Sequence, residues 1–427
     1  MKWSIRGGIE VNRNLILIHL ESLSNIIYRM NPFLFQNIRS VERESISCQK
    51  FFSSATSTLM VLGDMYYGGM EQYESCLSLD YIPEKYHYEK SLFDDLKEKG
   101  YRTGLFIYPD GGGLESAEKR HIAGFQNEMI LKKTYGEYID AIRNIVGEQP
   151  FALSLCNYIS NMGFSRYVDL NNDLPGNVRW KIGYKELDKS VGDIFNILRD
   201  KGVLNQTTVI LYGDHGDDYW MHGLHEGCCH SIEPYTELIH TPLMIYDKRF
   251  AAEINSSLLG TTDIRNLING LLCENNADNL MFPQRSFAIS RTAYAAQPLR
   301  NESLKKAYSI TEGKLLLLVS NEGMEMYDVE IDPTCGNNLL NIFLYSEGVL
   351  YLDESKKGVK SRHYALFMNS GHIRLIRQNF YHLRVKLYKE VKMLYEAAGI
   401  SEEKMEKEMK YDKIRYTSFG TVNNGEE

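Results

Sequence analysis

The amino-acid sequence predicts an α/β fold with a mostly parallel central sheet flanked by helices, followed by a small antiparallel sheet and more helices. Three observations support this prediction. Short apolar, β-prone runs alternate with segments of helical periodicity up to about residue 290. Short strands separated by glycine-containing turns follow, as in an antiparallel sheet. Residues 377–410 then have the charged, periodic pattern of amphipathic helices.

Five apolar runs are the predicted strands of the central sheet. Each run is short and mostly apolar, which is typical of parallel strands that are covered on both faces. The segments between them have helical patterns, and Gly100 and Gly202 mark helix ends because glycine is favoured there. The predicted strands comprise residues 14–20, 101–108, 150–156, 207–212 and 242–246.

The change of pattern near residue 290 predicts two structural units. A chain of 427 residues is long for a single core, so a large domain with a smaller one is expected. We assign residues 10–292 to the larger α/β domain and residues 293–427 to an α+β C-terminal subdomain. Within the latter, residues 307–310, 314–320 and 324–329 are the predicted antiparallel strands.

Charge and composition argue against several classes of protein. A net charge of -8 disfavours a nucleic-acid or anionic-membrane partner, because both require clustered positive charge. No apolar run is long enough to span a bilayer, and the first residues lack the apolar core of a signal peptide. We therefore expect a cytoplasmic chain or a soluble part of a larger protein. The seven scattered cysteines fit buried free thiols in a reducing compartment.

Polar residues directly follow two of the predicted strands. Glu21 comes after the first strand, and the pair Asp214–His215 comes one residue after the fourth. The carboxyl ends of parallel strands are where α/β proteins place ligands. Carboxylate and imidazole groups suit zinc or manganese. An Asp-His pair at a strand end can also be purely structural, so the segment between the two strands decides between the interpretations.

Residues 51–69, FFSSATSTLMVLGDMYYGG, favour a functional site. Thr58 would begin a helix, where free N–H groups and the helix dipole favour a bound anion, and Gly68 follows ten positions later. With the acidic strand end and the Asp-His-Gly motif, this segment resembles the sulfatase and alkaline-phosphatase superfamily. Further segments resemble family motifs in the family's order: residues 100–103, 124–125, 149–153, 184–216, 241–247 and 326–339.

The resemblance implies an alkaline-phosphatase-like fold in which residues 10–292 are the catalytic domain. One divalent metal ion, zinc or manganese, would be held by Glu21, Thr58, Asp214 and His215. Thr58 would be the nucleophile, since coordination by a cation lowers the pKa of a hydroxyl and aligns it. The expected substrate is a phosphorylated or sulfated small molecule, glycan or lipid head group, with neither nucleic acid nor a membrane span involved.

Departures from the sulfatase pattern favour one branch of the superfamily. Sulfatases carry Cys or Ser in a CxPSR-like motif that is converted to formylglycine, whereas position 58 is Thr and no Pro or Arg follows it. The combination of Glu21, Thr58, Asp214 and His215 looks more like lipoteichoic-acid synthases and phosphoethanolamine or phosphoglycerol transferases. The histidine that those transferases show after the third strand is missing, because Asn161 and Met162 stand there.

Three further histidines lie in the segment HGLHEGCCH at residues 222–230. His230 is the first candidate and His222 the second for binding phosphate, acting as a general acid or supplying a ligand; ordinary loop positions are the alternative. The role of His225 stays open. His19, inside the first strand, is expected to be a hydrogen-bonded core histidine. Asp64 is expected to be a solvated or capping carboxylate of the nucleophile helix.

Three functions are compatible with these residues. The first is metal-dependent transfer or hydrolysis of a phosphoryl-type ester through a covalent Thr58 intermediate. The second is hydrolysis of a sulfuric ester without formylglycine. The third is a catalytically inactive protein that keeps the fold and binds a phosphorylated ligand, and the missing histidine near residue 162 supports it.

Overall fold

The computed structural model describes residues 13–70, 90–109, 129–147, 150–161, 176–219, 222, 228–230, 233–273, 282–292, 306–353, 370–397 and 399–417. The strands within these residues are β1 Asn14–Leu20, β2 Ile46–Phe52, β3 Arg102–Tyr108, β4 Met129–Leu131, β5 Phe151–Asn157, β6 Thr207–Gly213, β7 Asp218–Tyr219, β8 Cys228–Cys229, β9 Leu243–Tyr246, β10 Glu253–Gly260, β11 Ala288–Arg291, β12 Ala307–Glu312, β13 Leu315–Ser320, β14 Gly323–Asp328, β15 Phe343–Ser346 and β16 Val349–Leu352.

Some of the described helices begin where the sequence offers capping side chains. Ser91 and Asp94 form a reciprocal capping box at one helix start, and Thr134 and Glu137 form another. None of these helices is both long enough and apolar enough to cross a bilayer. The helices are α1 Asn25–Met30, α2 Gln36–Glu42, α3 Thr58–Tyr67, α4 Leu92–Glu98, α5 Tyr135–Ile145, α6 Gly176–Asp200, α7 Thr236–Ile239, α8 Ile264–Cys273, α9 Ser370–Ala397 and α10 Glu402–Glu408.

An eight-stranded sheet forms the centre of the molecule, with the strand order β10-β2-β9-β6-β1-β5-β3-β4. All of its strands run in the same direction except β9, which is antiparallel to both β2 and β6. The sheet is therefore mostly parallel, and the predicted fold class is confirmed.

Different helices cover the two faces of this sheet. Side chains along a strand alternate between its faces, and the middle strand β1 shows this directly. Leu15 and Leu17 pack in one apolar core with α3, α4 and α8. Ile16 and Ile18 pack in a second core with α1, α2, α5 and α6. Because both faces are buried, β1 reads as a continuous apolar run in the sequence.

The later part of the chain forms a four-stranded antiparallel sheet, ordered β11-β12-β13-β14, as the sequence predicts. Helix α9 covers one face of it with an apolar stripe at helical spacing. The first strand of this sheet, β11, precedes residue 292, and the division into two domains at that residue stays a prediction. The stripe comprises Phe380, Leu383, Leu387, Val391 and Tyr395.

Candidate active site

Two neighbouring strands of the central sheet deliver the two carboxylates of the site. Strands β1 and β6 are parallel and in register, with Leu20 opposite Gly213, so the next residues, Glu21 and Asp214, leave the sheet side by side. Both carboxylates are fully buried. The turn after β1 places Ser22 at φ 55° and directs its backbone N–H to Asp214 Oδ1 at 3.0 Å. The strand-end geometry therefore brings both acids to one point.

Helix α3 brings Thr58 to the same point. Ser57 is the N-cap, so Thr58 is the first residue of the helix and its hydroxyl does not cap the helix. The Thr58 Oγ1 lies 2.8 Å from Asp214 Oδ2, 3.1 Å from His215 Nε2 and 3.3 Å from Glu21 Oε2. Thr58 is half-buried while the surrounding acids are closed to solvent. The other three predicted metal-binding residues thus surround the Thr58 hydroxyl.

His19 is buried in the core, as expected, and it also lies in this cluster. Its ring is fully buried, but Nε2 lies 3.2 Å from Glu21 Oε2 and 3.0 Å from Asp214 Oδ2. The ring stacks on Tyr212 with centroids 5.5 Å apart, and Nδ1 lies 3.3 Å from Cys156 Sγ. The sequence already indicated the contact with Glu21, because His19 and Glu21 are two positions apart and such residues of a strand share a face.

The charges of this cluster are balanced by imidazoles and not by a lysine or arginine. Burial alone would raise the pKa of the Asp214 carboxyl, but His19 and His215 outweigh this effect and the pKa is lowered. Burial would lower the pKa of His19, but the charge of Asp214 raises it well above the usual value. Within the described residues, neither Glu21 nor Asp214 forms an ion pair with lysine or arginine.

The residues of the cluster fit a divalent cation. His19 Nε2, Glu21 Oε2 and Asp214 Oδ2 lie within 4.8 Å of one another, yet Nε2 makes no aligned hydrogen bond. The three atoms therefore surround a common point at which a cation could bind. His215 Nδ1 lies 2.9 Å from the carbonyl oxygen of Gly216, which leaves Nε2 as the free ligand atom. Metal-binding histidines characteristically have such a carbonyl partner.

A histidine–carboxylate pair lies at the edge of the cluster. The His230 ring stacks on His215 with centroids 4.5 Å apart, and its Nδ1 lies 2.9 Å from Asp217 Oδ1. Its side chain is 26% exposed, so Nε2 is the nitrogen left for a substrate. Burial lowers the pKa of His230, but the hydrogen bond and charge of Asp217 outweigh this and raise it. Asp217 was not singled out in the sequence.

His222 contacts a different group of residues. Its Nδ1 lies 2.7 Å from Glu237 Oε1, and its ring stacks on Tyr235 with centroids 3.8 Å apart. The structure therefore places His230, and not His222, against His215. His225 lies outside the described residues.

The residues after β5 orient Glu21 and were missed as site residues in the sequence. Asn161 donates a hydrogen bond from Nδ2 to Glu21 Oε1 at 3.0 Å, and Ser160 donates to the Glu21 carbonyl at 2.8 Å. Ser22 Oγ adds a third hydrogen bond, 3.1 Å from Glu21 Oε1. Asn161 replaces a histidine of the transferases, and here its amide positions the first carboxylate.

Asp64 is neither solvated nor capping, which corrects the expectation for this residue. Its carboxylate is fully buried and accepts two hydrogen bonds from Arg291, at 2.6 Å from Nη1 and 2.9 Å from Nη2. Ser54 Oγ donates to it at 2.5 Å. This pair joins the nucleophile helix α3 to strand β11, and its arginine is 227 residues away in sequence. No local pattern could have revealed it.

Comparisons with known proteins agree with this geometry. Residues 183–271 match the family model described as Sulfatase, a segment that includes Asp214 and His215. No curated protein gives a significant match. Three similar solved structures show the fold alone, because their sequence identities are low.

The first of these is the lipoteichoic acid synthase LtaP from Listeria monocytogenes, with TM-score 0.55 and 17% identity over 77% of this chain and 86% of that chain. A protein in the alkaline phosphatase superfamily from Vibrio parahaemolyticus has TM-score 0.54 and 12% identity over 83% and 84%. A structure solved in complex with its substrate D-glucosamine-2-N,6-O-disulfate has TM-score 0.59 and 12% identity over 91% and 98%.

Residues 183–271 are thus similar to the Sulfatase family, and the fold is similar to those of solved proteins of the sulfatase and alkaline-phosphatase superfamily, which confirms the resemblance seen in the sequence. The structural neighbours include a lipoteichoic acid synthase.

Proposed function

We propose that this protein is a metal-dependent enzyme that transfers or hydrolyses a phosphoryl-type ester of a glycan or lipid-derived head group through a covalent Thr58 intermediate. One observation carries the proposal: the half-buried Thr58 hydroxyl lies within 3.3 Å of Glu21, Asp214 and His215. A plain helix-capping threonine would instead bond its own backbone. The likeness to LtaP in fold supports a head-group substrate.

The cation that fits this site would be held by Glu21, Thr58, Asp214 and His215. When bound, a divalent cation lowers the pKa of a coordinated hydroxyl and offsets charge on the transferred group. His19 Nε2 lies close to both carboxylates, so this side chain would help to fix the position and charge of Glu21 and Asp214. Zinc and manganese suit this mixture of nitrogen and oxygen atoms.

The protons and bonds of the proposed reaction can be followed through the residues of the site. The half-buried Thr58 hydroxyl gives its proton to solvent water, and Oγ1 forms a bond to phosphorus while the bond to the leaving oxygen breaks; His230 supplies the proton that this oxygen takes up. The Asp217 carboxylate keeps His230 protonated and correctly turned. Water or an acceptor alcohol then gives its proton to His230 and displaces Thr58 from phosphorus, and the released Thr58 oxygen takes up a proton from solvent.

Helix α3 supports the same chemistry through its backbone. The N–H groups of its first turn have no acceptor within the helix, and the positive end of the helix dipole lies at Thr58. A phosphoryl group attached to Thr58 would therefore meet backbone donors as well as a cation. This arrangement favours an anionic group on Thr58 over a neutral one.

Hydrolysis of a sulfuric ester without formylglycine is the second candidate function. The Sulfatase family model and the neighbour solved with a sulfated glucosamine favour it. Threonine has a methyl group on Cβ, so its oxidation cannot give the aldehyde that formylglycine chemistry requires. Phosphoryl transfer by an unmodified hydroxyl needs no such conversion.

The test compares the native enzyme with Thr58→Ala and Thr58→Ser on 4-nitrophenyl phosphate, bis(4-nitrophenyl) phosphate and 4-nitrophenyl sulfate, each with zinc or manganese. We expect turnover of a phosphate ester, a loss of roughly 1000-fold or more in Thr58→Ala, and partial activity in Thr58→Ser. Full activity of Thr58→Ala on every ester would refute the proposal. Turnover of the sulfate alone would establish the second candidate.

A further inference from the structure

A second cluster of possible metal ligands lies outside the proposed catalytic centre. Asp218, His222 and Glu237 each contribute one ligand atom, and these atoms all lie within 4.8 Å of one another. Both carboxylates are buried, and the His222 side chain is only 4% exposed. The proposed function uses none of these three side chains. A set of one nitrogen and two carboxylate oxygens is that of zinc and manganese sites.

Glu237 is the member of the cluster that points to a ligand. The residue is 1% exposed, and neither of its carboxylate oxygens accepts a hydrogen bond from the described residues. His222 Nδ1 lies 2.7 Å from Glu237 Oε1, but the two are not aligned as donor and acceptor. A buried carboxylate that receives no aligned hydrogen bond is strongly unfavourable, so native proteins seldom contain such a group.

The positions of the other two ligand atoms agree with a shared cation. His222 Nδ1 lies 3.4 Å from Asp218 Oδ2, and atoms bound to one zinc ion at ~2.0–2.2 Å are roughly 3–3.5 Å apart. The parallel ring of Tyr235, only 3.8 Å away, holds the imidazole plane of His222.

This cluster is separate from the catalytic one because of the strand geometry. Asp217 and Asp218 are neighbours in the chain, and side chains of successive extended residues point in opposite directions. Asp217 contacts His230 beside the catalytic cluster, while Asp218 contacts His222. Helix α7, which carries Glu237, packs directly against this segment, since Gly216 N donates to the Leu238 carbonyl at 2.8 Å.

We propose that Asp218, His222 and Glu237 form a second, structural metal site that takes zinc or manganese. The ion would link Asp218 of strand β7 and His222 to Glu237 of helix α7. Strand β7 pairs with β8, and His230 directly follows β8. The site would therefore fix the segment that presents His230 to the substrate. The inference does not rest on the proposed reaction, because it concerns different side chains.

The test counts zinc per chain by elemental analysis after loading with zinc chloride and gel filtration. We expect two equivalents in the native protein and one in Asp214→Ala, which lacks the catalytic site. Glu237→Gln should also keep one, and Asp214→Ala/Glu237→Gln none. In the Asp214→Ala protein, zinc should raise the melting temperature, and the added Glu237→Gln change should remove that shift.

The control is His382→Ala, which removes an exposed histidine that also pairs with a carboxylate, Glu312. It should keep two equivalents of zinc. A native protein with one equivalent that Asp214→Ala loses would overturn the second site while leaving the catalytic site intact. Unchanged zinc content in Glu237→Gln would overturn it as well. If Asp214→Ala fails to fold, the zinc contents of the native protein and of Glu237→Gln still test the second site. Two equivalents in the native protein and one in Glu237→Gln would support it.

Discussion

Two fully buried aspartates near helix α3 differ in how their charge is balanced. Asp64, within the helix, receives two hydrogen bonds from the guanidinium of Arg291. Asp214, beside the start of the helix, meets the rings of His19 and His215 and the hydroxyl of Thr58. The first carboxylate is neutralised by a cation that belongs to the chain. The second meets histidines and a hydroxyl, and it is the carboxylate that we propose binds a cation from solution.

Two other buried acids follow the first pattern. Asp247 pairs with Arg249 at 2.8 Å and with Arg13 at 3.0 Å. Glu325 pairs with Arg415 at 2.9 Å. Arginine suits such positions because its planar guanidinium stays charged and binds carboxylates in a fixed geometry. Glu21 and Asp214 differ from these two acids because they form no such pair among the described residues.

The largest expected effect comes from removing a catalytic carboxylate. Asp214→Asn should lose the metal of the catalytic cluster and roughly 1000-fold or more of the activity, because the ligand charge and the partner of Thr58 disappear together. The protein should still fold, since His19 and His215 can lose a proton when the Asp214 charge is removed, as an arginine could not. Elemental analysis, ester turnover and thermal unfolding measure these effects. Retention of the metal would contradict the comparison.

The framework pair should respond in the opposite way. Asp64→Ala leaves the Arg291 guanidinium buried without its carboxylate, which typically lowers the free energy of unfolding by about 3–5 kcal/mol. Metal content per folded chain should stay unchanged. Urea unfolding and elemental analysis on the same samples separate the two effects.

The matched control for this pair is the double variant Asp64→Leu/Arg291→Met, which replaces both charges by apolar groups. We expect it to be more stable than Asp64→Ala, because no charge is left uncompensated. A double variant that is less stable than the single one would show that the pair contributes stability beyond mutual neutralisation.

A smaller effect should follow from changing Asp217, whose carboxylate pairs with His230. Asp217→Asn removes the charge that holds His230 protonated and turned, so kcat should fall by about 10- to 100-fold. Metal content should not change, and Asp217→Glu should restore part of the rate. An unchanged kcat would place Asp217 with the framework acids instead.

The smallest expected effect concerns a histidine that has no carboxylate partner among the described residues. Burial lowers the pKa of His240 to about 4, despite its contact with the Gln49 carbonyl at 2.8 Å. Its folded pKa lies below the usual value, so the unfolded state binds more protons between pH 6.5 and 4. Stability should therefore fall in that window as the pH falls, by on the order of 1–3 kcal/mol.

Urea unfolding of the native protein and His240→Gln at pH 7.5 and pH 4.5 measures this contribution by difference. The variant should show the weaker dependence on pH, because glutamine does not titrate. Equal dependence in the two proteins would show that His240 is already solvated in the fold, unlike His19.

Much of the central sheet could be predicted because its information is local. The run at residues 14–20 ends at the same residue as β1, and β6 ends one residue beyond its predicted limit. These strands are buried on both faces, so hydrophobicity marks their whole length. Thr58 was likewise expected to begin a helix, and α3 begins there, with Gly68 in the left-handed region at its end.

Contacts between distant parts of the chain could not be predicted in this way. The pairing of Asp64 with Arg291 depends on how β11 passes the nucleophile helix, and the choice of His230 over His222 depends on a loop. The expectation for Asp64 was wrong because helical periodicity reports amphipathicity and does not identify a buried ionic partner. The contact of His19 with Asp214 was not foreseen, because a position inside one strand does not show which groups end the neighbouring strand.

The sequence by itself determined which residues end the strands and begin the nucleophile helix, since period, apolar length and glycine position are properties of short segments. Only the tertiary structure decided that β1 lies between β5 and β6 and that the ends of β1 and β6 meet Thr58. It also decided which buried carboxylates meet an arginine and which do not. The physical reason is that charge compensation inside a protein depends on distances in space, and the groups concerned are often more than a hundred residues apart in the chain.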